Sequence, residues 1–201
     1  MYSLAETRSG RKKKQALIER VCALPPHTVV LFEDETILRE LPPLRCCWAK
    51  RGERAVVPIT GNNARRCVFG VLNPRTGARL CSVRHRNRAE DFRNFLHQVR
   101  ACYKRWKIFM ILDQASSHTA KKTQAEAEAL RIELAWLPTA CPELNPNELL
   151  WQRGKQNVSA NRTFPTVDEQ ASAFCDYLLG LSPAEAKQVS GVMSPRFWLP
   201  A

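Results

Sequence analysis

Three acidic residues of this chain, Asp34, Asp113 and Glu148, stand where sequence elements end or begin. Asp34 follows the apolar, β-branched run Val29-Val30-Leu31-Phe32, inside Glu33-Asp34-Glu35. Asp113 follows Ile108-Phe109-Met110-Ile111-Leu112, and Glu148 lies just after Asn145-Pro146 at the start of a helix. Carboxylates brought to one sheet edge by three elements are ligands for hard divalent cations, and two such ions about 3.5–4 Å apart need a shared ligand. Such a site serves phosphoryl transfer, in which the ions activate the attacking oxygen and stabilise the leaving one. A plainer role fits the same residues. An Asp at a strand end is a common turn or cap residue. Asn145-Pro146-Asn147-Glu148 places Asn at N-cap, Pro at N1 and Glu at N3, a capping-box-like start. Spacing alone leaves both roles open.

The elements that must position these groups read as follows. A strand runs from Thr28 into Glu33-Asp34-Glu35. Residues 41–54 are loop-like, with Pro42, Pro43 and Gly52, and a second strand is expected over 55–59. Strands over 67–72 and 78–83 form a hairpin through Asn73-Pro74-Arg75-Thr76-Gly77. Phe92, Phe95, Leu96, Val99 and Tyr103 recur at helical spacing over 88–103, with Asn87 as the expected N-cap and Glu90 three residues on. The run 108–112 is apolar on both faces and belongs in the middle of a covered sheet. A helix over 119–130, a strand over 132–136, a Pro-rich loop over 137–146 and helices over 146–157 and 167–179 complete the pattern. This order predicts an α/β fold, a mixed sheet flanked by helices. Ligands of such sheets sit at the carboxyl ends of central strands, the end where Asp34 and Asp113 are expected.

Composition sets the partners. The chain has 201 residues, enough for one domain with an arm, and 31 Lys and Arg against 19 acidic residues leave a net charge of +12. That excess attracts polyanions, nucleic acid first among them. No apolar run is long enough to span a bilayer, and the polar start offers no signal peptide, so no membrane is expected and a cytoplasmic location is. The eight cysteines contain no C-x-x-C pair and read as reduced, mostly buried small hydrophobes. Residues 1–27 are expected as a basic N-terminal arm, 28–181 as the globular domain and 182–201 as a C-terminal tail.

The local sequences around the carboxylates add a resemblance. Leu31-Phe32-Glu33-Asp34-Glu35, then Ile111-Leu112-Asp113-Gln114-Ala115-Ser116-Ser117-His118, then Leu137 to Glu148 with Trp151 and Lys155 beyond, resemble the three ordered motifs of mariner-type transposases, closest to their bacterial insertion-sequence branch. The 34 residues between Asp113 and Glu148 (114–147) match that superfamily's spacing, and Trp48 and Gly52 fall where it carries Trp-x-x-x-Gly. The resemblance covers about residues 28–180. It implies a ribonuclease H-like fold with Asp34, Asp113 and Glu148 as catalytic metal ligands for two Mg²⁺ (or Mn²⁺) ions. It implies cleavage and strand transfer on double-stranded DNA, both element ends and target. A homodimer on DNA is implied too, as is a separate helix-turn-helix polypeptide, since only about 27 residues precede the first strand.

Supporting or DNA-binding roles are expected for His118, Lys155, Trp48, Arg65 and Arg66, each of which has an ordinary packing or surface role beside it. Trp151, three residues past Glu148, is expected in the core. Gln114 stands where the family has Asn, Asn147 where it has an apolar residue, and Gly154 sits in a helix at a cost of about 1 kcal/mol against Ala. The alternatives to an active transposase are a catalytically silent or truncated DNA-binding remnant, and a structured-DNA nuclease of the same fold. Retention of all three carboxylates favours activity.

Overall fold

The computed structural model describes residues 8–59 and 61–199. Its centre is β1 (Thr28–Arg39), a long strand that changes partners partway. From Thr28 to Phe32 it pairs in parallel with β4 (Lys107–Leu112). From Phe32 to Arg39 it pairs antiparallel with β2 (Arg65–Leu72). A tight turn joins β2 to β3 (Arg79–Arg84). In it Asn73 Oδ1 accepts from the backbone N–H groups of Arg75 and Thr76, and Gly77 takes φ +76°. β5 (Ile132–Trp136) adds in parallel to β4, giving the order β3-β2-β1-β4-β5.

Helices cover both faces. On one face, α2 (Ala89–Cys102) buries Phe92, Phe95, Leu96 and Val99 against Leu31, Phe69 and Met110. α3 (Ser116–Thr119) and α4 (Lys121–Ala129) pack beside it. On the other face, α1 (Arg8–Cys22) sets Leu17 and Val21 against Val30, Phe32, Phe109 and Ile111. There α5 (Asn147–Gly154) and α6 (Val167–Gly180) pack Trp151, Phe174 and Leu178 on Leu38, Val68 and Leu72. A last helix, α7 (Pro183–Val189), begins with a complete capping box between Ser182 and Glu185. No helix among the described residues is long and apolar enough to cross a membrane.

Several expected elements change. β1 runs on to Arg39 because the hairpin extends its pairing beyond the point where β4 stops. Residues 55–59 form no strand: Val56 and Ile59 are exposed, and Pro58 lacks the N–H that a ladder needs. The helix expected over 119–130 is two, broken at Ala120, whose backbone is extended (φ −57°, ψ 133°). The helix expected to reach 157 ends at Gly154 and continues as a π-helical turn, Lys155–Ser159. The expected arm contains α1, whose apolar side packs on the sheet. The expected tail contains α7 and Leu199, which is buried near Phe32.

Candidate active site

Successive residues of a strand point to opposite faces, and that rule divides the acidic stretch of β1. Asp34 projects with Phe32 and Leu38 toward α5; Glu33 and Glu35 project with Leu31 toward α2. Asp34 lies two residues past the last β1–β4 pair and opposite Gly70 of β2, so it sits inside a strand and not at its end. Trp151 Nε1 donates to Asp34 Oδ2 at 2.8 Å. The indole fits only because Gly70 has no side chain, since a Cβ there would stand 2.3 Å from Trp151 Cη2. Trp151 is thus both the core residue expected and a direct partner of Asp34.

The loop before α5 is tied to the β1 backbone at the same place. Asn145 Nδ2 donates to Glu33 O at 2.7 Å, and Asn147 Nδ2 donates to Phe32 O at 2.9 Å. Asn147, a departure from the apolar residue expected, is therefore a buried and satisfied polar group. Asn145 Oδ1 accepts from Asn147 N, but the N–H of Asn145 goes to Pro142 O. The reciprocal half of a capping box is accordingly not made. Among the described residues the exposed Glu148 carboxylate makes no hydrogen bond, which leaves it free for a ligand.

Asp113 follows β4 and is held from two sides. Its Oδ1 accepts from Ala115 N at 2.9 Å and lies 2.9 Å from His118 Nδ1. The His118 ring is fully buried, 4.3 Å from the Phe92 ring centre. Gln114, the longer amide, reaches Leu137 O at 3.1 Å and so ties the end of β4 to the segment after β5.

Crowded acidic groups dominate the electrostatics of the site. Burial, then Glu148, then Glu35 push Asp34 up to about 8, against the pull of its Trp151 hydrogen bond. Partial burial raises Glu148, with Lys155 opposing and Asp113 adding to the rise. Asp113 is held low, first by its His118 hydrogen bond. Glu148 is thus within electrostatic reach of both Asp34 and Asp113. Lys155 is half-buried beside Glu148 and Asp34, and burial lowers its own pKa. With Arg45, Glu148 and Trp151 it lines a cleft of about 230 Å³. Acidic groups crowded enough to keep Asp34 largely protonated at neutral pH are oxygen donors whose charge a divalent cation would restore and balance, so the residues present fit such an ion.

Other expected residues lie elsewhere. Trp48 is fully exposed on the long loop after β1 and reaches none of the three carboxylates. Arg65 and Arg66 both line a basic cleft with His85, Arg86 and Arg88; Arg66 is engaged there by Asp168 through two 2.6 Å hydrogen bonds, whereas Arg65 is exposed. The sequence reading missed Glu33, Glu35, Gly70, Asn87 and Asn145. The i, i+2 spacing of Glu33 and Glu35 on one strand face was the only available signal, because the other partners come from distant segments.

A five-stranded mixed sheet of this order, with helices on both faces and carboxylates at the switch from parallel to antiparallel pairing, is a ribonuclease H-like fold. The family described as DDE superfamily endonuclease matches residues 29–170, and the chain belongs to that family. It is 28% identical over 134 residues to the insertion element IS630 uncharacterized 39 kDa protein of Shigella sonnei, covering 66% of this chain and 39% of that one. It is 31% identical over 109 residues to the uncharacterized protein y4pE/y4sA of Sinorhizobium fredii (strain NBRC 101917 / NGR234), covering 54% of this chain and 78% of that one. Among solved structures, the catalytic domain of Mos1 mariner transposase superposes with a TM-score of 0.67 at 13% identity, over 98% of this chain and 92% of that one. The mariner Mos1 paired end complex with Mg gives 0.68 at 15% identity, over 93% and 58%. The chain therefore spans about two fifths of the Shigella relative and under two thirds of the Mos1 chain in its paired end complex.

Proposed function

We propose that this chain is the catalytic domain of a DNA transposase, cleaving strands at element ends and joining the freed ends to target DNA. Asp34, Asp113 and Glu148 are the proposed catalytic residues and the ligands of two Mg²⁺ or Mn²⁺ ions. The observation that carries the reading is the anchoring of the start of α5 to β1 by Asn145 and Asn147, with Trp151 on Asp34, which puts Glu148 within electrostatic reach of Asp34 in a family of DDE endonucleases. Divalent ions, when bound there, supply Lewis-acid activation of the attacking and leaving oxygens.

The chain's own residues position that chemistry. Trp151 fixes one oxygen of Asp34, and His118 with Ala115 N–H fixes one oxygen of Asp113. The second oxygen of each carboxylate is the one that would hold an ion. Asn145 and Asn147 anchor the start of α5 to β1, which sets Glu148 relative to Asp34. The Lys155 ammonium beside Glu148 offsets the acidic charge that a phosphodiester must approach.

Double-stranded DNA is the proposed partner, supported by the +12 charge and the basic cleft at Arg65. Residues 28–181 form the proposed catalytic domain, with 1–27 as a basic segment and 182–201 as a C-terminal one. We extend the reading to a homodimer on DNA, a separate helix-turn-helix polypeptide and a cytoplasmic site of action. Retention of all three carboxylates favours this reading over a catalytically silent remnant. The test is incubation of the chain with a labelled duplex ending in the element's inverted repeat, with Mg²⁺ or with EDTA. Metal-dependent nicking at the repeat supports the proposal, and intact duplex under both conditions overturns it.

A further inference from the structure

Behind Asp34 and Asp113, on the α2 face of the sheet, lies a second group of metal-ligating side chains, which meets the proposed catalytic residues only where His118 Nδ1 touches Asp113. Glu33 and Glu35 project from β1 toward His118, and one ligand atom from each of the three residues falls within 4.8 Å of the other two. His118 Nε2 stands 3.5 Å from Glu33 Oε2 and 3.4 Å from Glu35 Oε2. We propose that Glu33, Glu35 and His118 hold one divalent transition-metal ion of the Zn²⁺ class, distinct from the ions at Asp34, Asp113 and Glu148.

Four observations carry this. The first is the state of Glu33: the residue is fully buried, and neither carboxylate oxygen has a hydrogen-bond partner. A carboxyl taken wholly out of water is paired, bound to a metal or neutralised by a proton, and a protonated one still needs a partner for its hydroxyl, which Glu33 lacks. Glu35 Oε2 and His118 Nε2 are likewise buried without hydrogen bonds, and His118 Nε2 stands within 3.5 Å of both Glu35 Oε2 and Glu33 Oε2.

The second is spacing. Ligands held tetrahedrally at Zn–N and Zn–O distances stand about 3.3–3.4 Å from one another. That separation is too long for a hydrogen bond of ordinary geometry, and the 3.4 and 3.5 Å contacts lie close to it.

The third is the outer contacts. A metal-ligating His commonly donates its other ring N–H to a carboxylate, which fixes its orientation; His118 Nδ1 is 2.9 Å from Asp113 Oδ1. Asn87 Nδ2 donates to Glu35 Oε1 at 2.5 Å, holding that oxygen away and turning Oε2 inward. The Phe92 ring closes the apolar side.

The last is access and softness. The Glu35 side chain is 12% exposed, so of the three residues it alone borders solvent, the side from which an ion would enter. An imidazole with two carboxylates suits Zn²⁺ or a similar transition ion better than Mg²⁺, which takes oxygen ligands and keeps its water.

The test removes the other site first. In the double variant Asp34→Asn/Glu148→Gln, the reaction's ions lose two of three ligands while Glu33, Glu35, His118 and Asp113 remain. Titration of this variant with Zn²⁺ followed by calorimetry is expected to show one equivalent bound. Co²⁺ is expected to give the visible bands of a tetrahedral N/O site and one strongly shifted imidazole N–H in the proton spectrum, that of His118. Adding Glu33→Gln should abolish both signals, and adding Asp113→Asn should weaken binding roughly tenfold to a hundredfold, as loss of an outer partner does. A thermal melt of each variant confirms the fold. A folded double variant that binds no Zn²⁺, or whose Co²⁺ complex shows thiolate charge-transfer bands from the exposed Cys46 and Cys47, overturns the proposal. Because the double variant lacks Asp34 and Glu148, neither result bears on strand cleavage.

Discussion

Trp151 donates to Asp34 across 2.8 Å, and the room for its indole is the side chain that Gly70, Asp34's neighbour on β2, does not have. One contact thus joins the packing of α5 to the position of a proposed ligand. Gly70→Ala places a methyl group against the ring, and we expect it to destabilise the fold by about 1–3 kcal/mol, the usual cost of overpacking. It should also displace Trp151 from Asp34. Trp151→Phe keeps most of the packing but not the donor, so Asp34 should titrate higher still and bind Mg²⁺ more weakly, at near-normal melting temperature. Calorimetric Mg²⁺ titration of both variants, beside thermal melts, checks this; equal Mg²⁺ affinity in Trp151→Phe would show that the hydrogen bond does not tune Asp34.

Gly154 looked unfavourable in sequence, as a helix position where Ala should stabilise. The structure reverses that expectation, because a Cβ at Gly154 would lie 2.6 Å from Phe174 Cε2. Gly154→Ala is expected to lower stability by about 1–3 kcal/mol, and adding Phe174→Leu should restore part of the loss. Thermal or urea melts of the single and double variants decide it, and a stabilised Gly154→Ala would contradict the packing.

The fold was legible where its signal is local. The apolar run 108–112, the spacing of Phe92, Phe95, Leu96 and Val99, and the strand over 132–136 each declare themselves by period and composition. The far half of β1 was not legible, because only pairing with β2 makes residues 36–39 a strand. The same limit hid the site's partners. Asn87 looked like an N-cap, yet α2 begins without a side-chain cap and Asn87 reaches Glu35, 52 positions away in sequence. Glu148 looked like half of a capping box until Pro142 proved to hold the N–H it would have used. Asn147 and Gly154 read as departures from a pattern because their partners, Phe32 O and the Phe174 ring, lie far along the chain.

The acidic cluster makes the metal-free protein sensitive to pH. Asp34 is raised to about 8, and Glu33, Glu35 and Glu148 are raised as well. A carboxyl whose folded pKa exceeds its unfolded one favours folding below the unfolded value and loses that contribution as pH rises through the folded value. The melting temperature in EDTA is therefore expected to fall between about pH 4 and pH 8, the window between Asp34's two pKa values. Asp34→Asn should flatten much of the slope, and Mg²⁺ should raise the melting temperature most at the alkaline end, where it competes with fewer protons. A metal-free melting temperature that rises over this window would contradict the buried, repelling carboxylates.

Arg65 and Arg66 line the same basic cleft but differ in their partners. Arg66 is engaged by Asp168, and Arg65 is exposed. Arg65→Ala should weaken DNA binding and reduce the dependence of log affinity on log salt by about one unit, as loss of a phosphate contact does. Arg66→Ala should act mainly on the packing of α6 against β2, with little effect on that slope. Binding isotherms at several salt concentrations separate the two, and a larger loss of slope in Arg66→Ala would reverse the assignment.

The central claim is that Asp34, Asp113 and Glu148 hold the ions that cut DNA, and cleavage by variants that keep their shape tests it most directly. Asp34→Asn, Asp113→Asn and Glu148→Gln each remove a charge and little volume, and Glu148 makes no capping bond to lose. With a duplex carrying the element end and Mg²⁺, the unmutated chain is expected to nick at the repeat. Each variant should be inactive yet melt no more than a few degrees from the unmutated chain, the shift that about 1 kcal/mol produces in a domain of this size, and each should still bind the duplex. Near-full cleavage by a folded Glu148→Gln would contradict the account and move the third ligand elsewhere, with Glu143 the next carboxylate in the same loop.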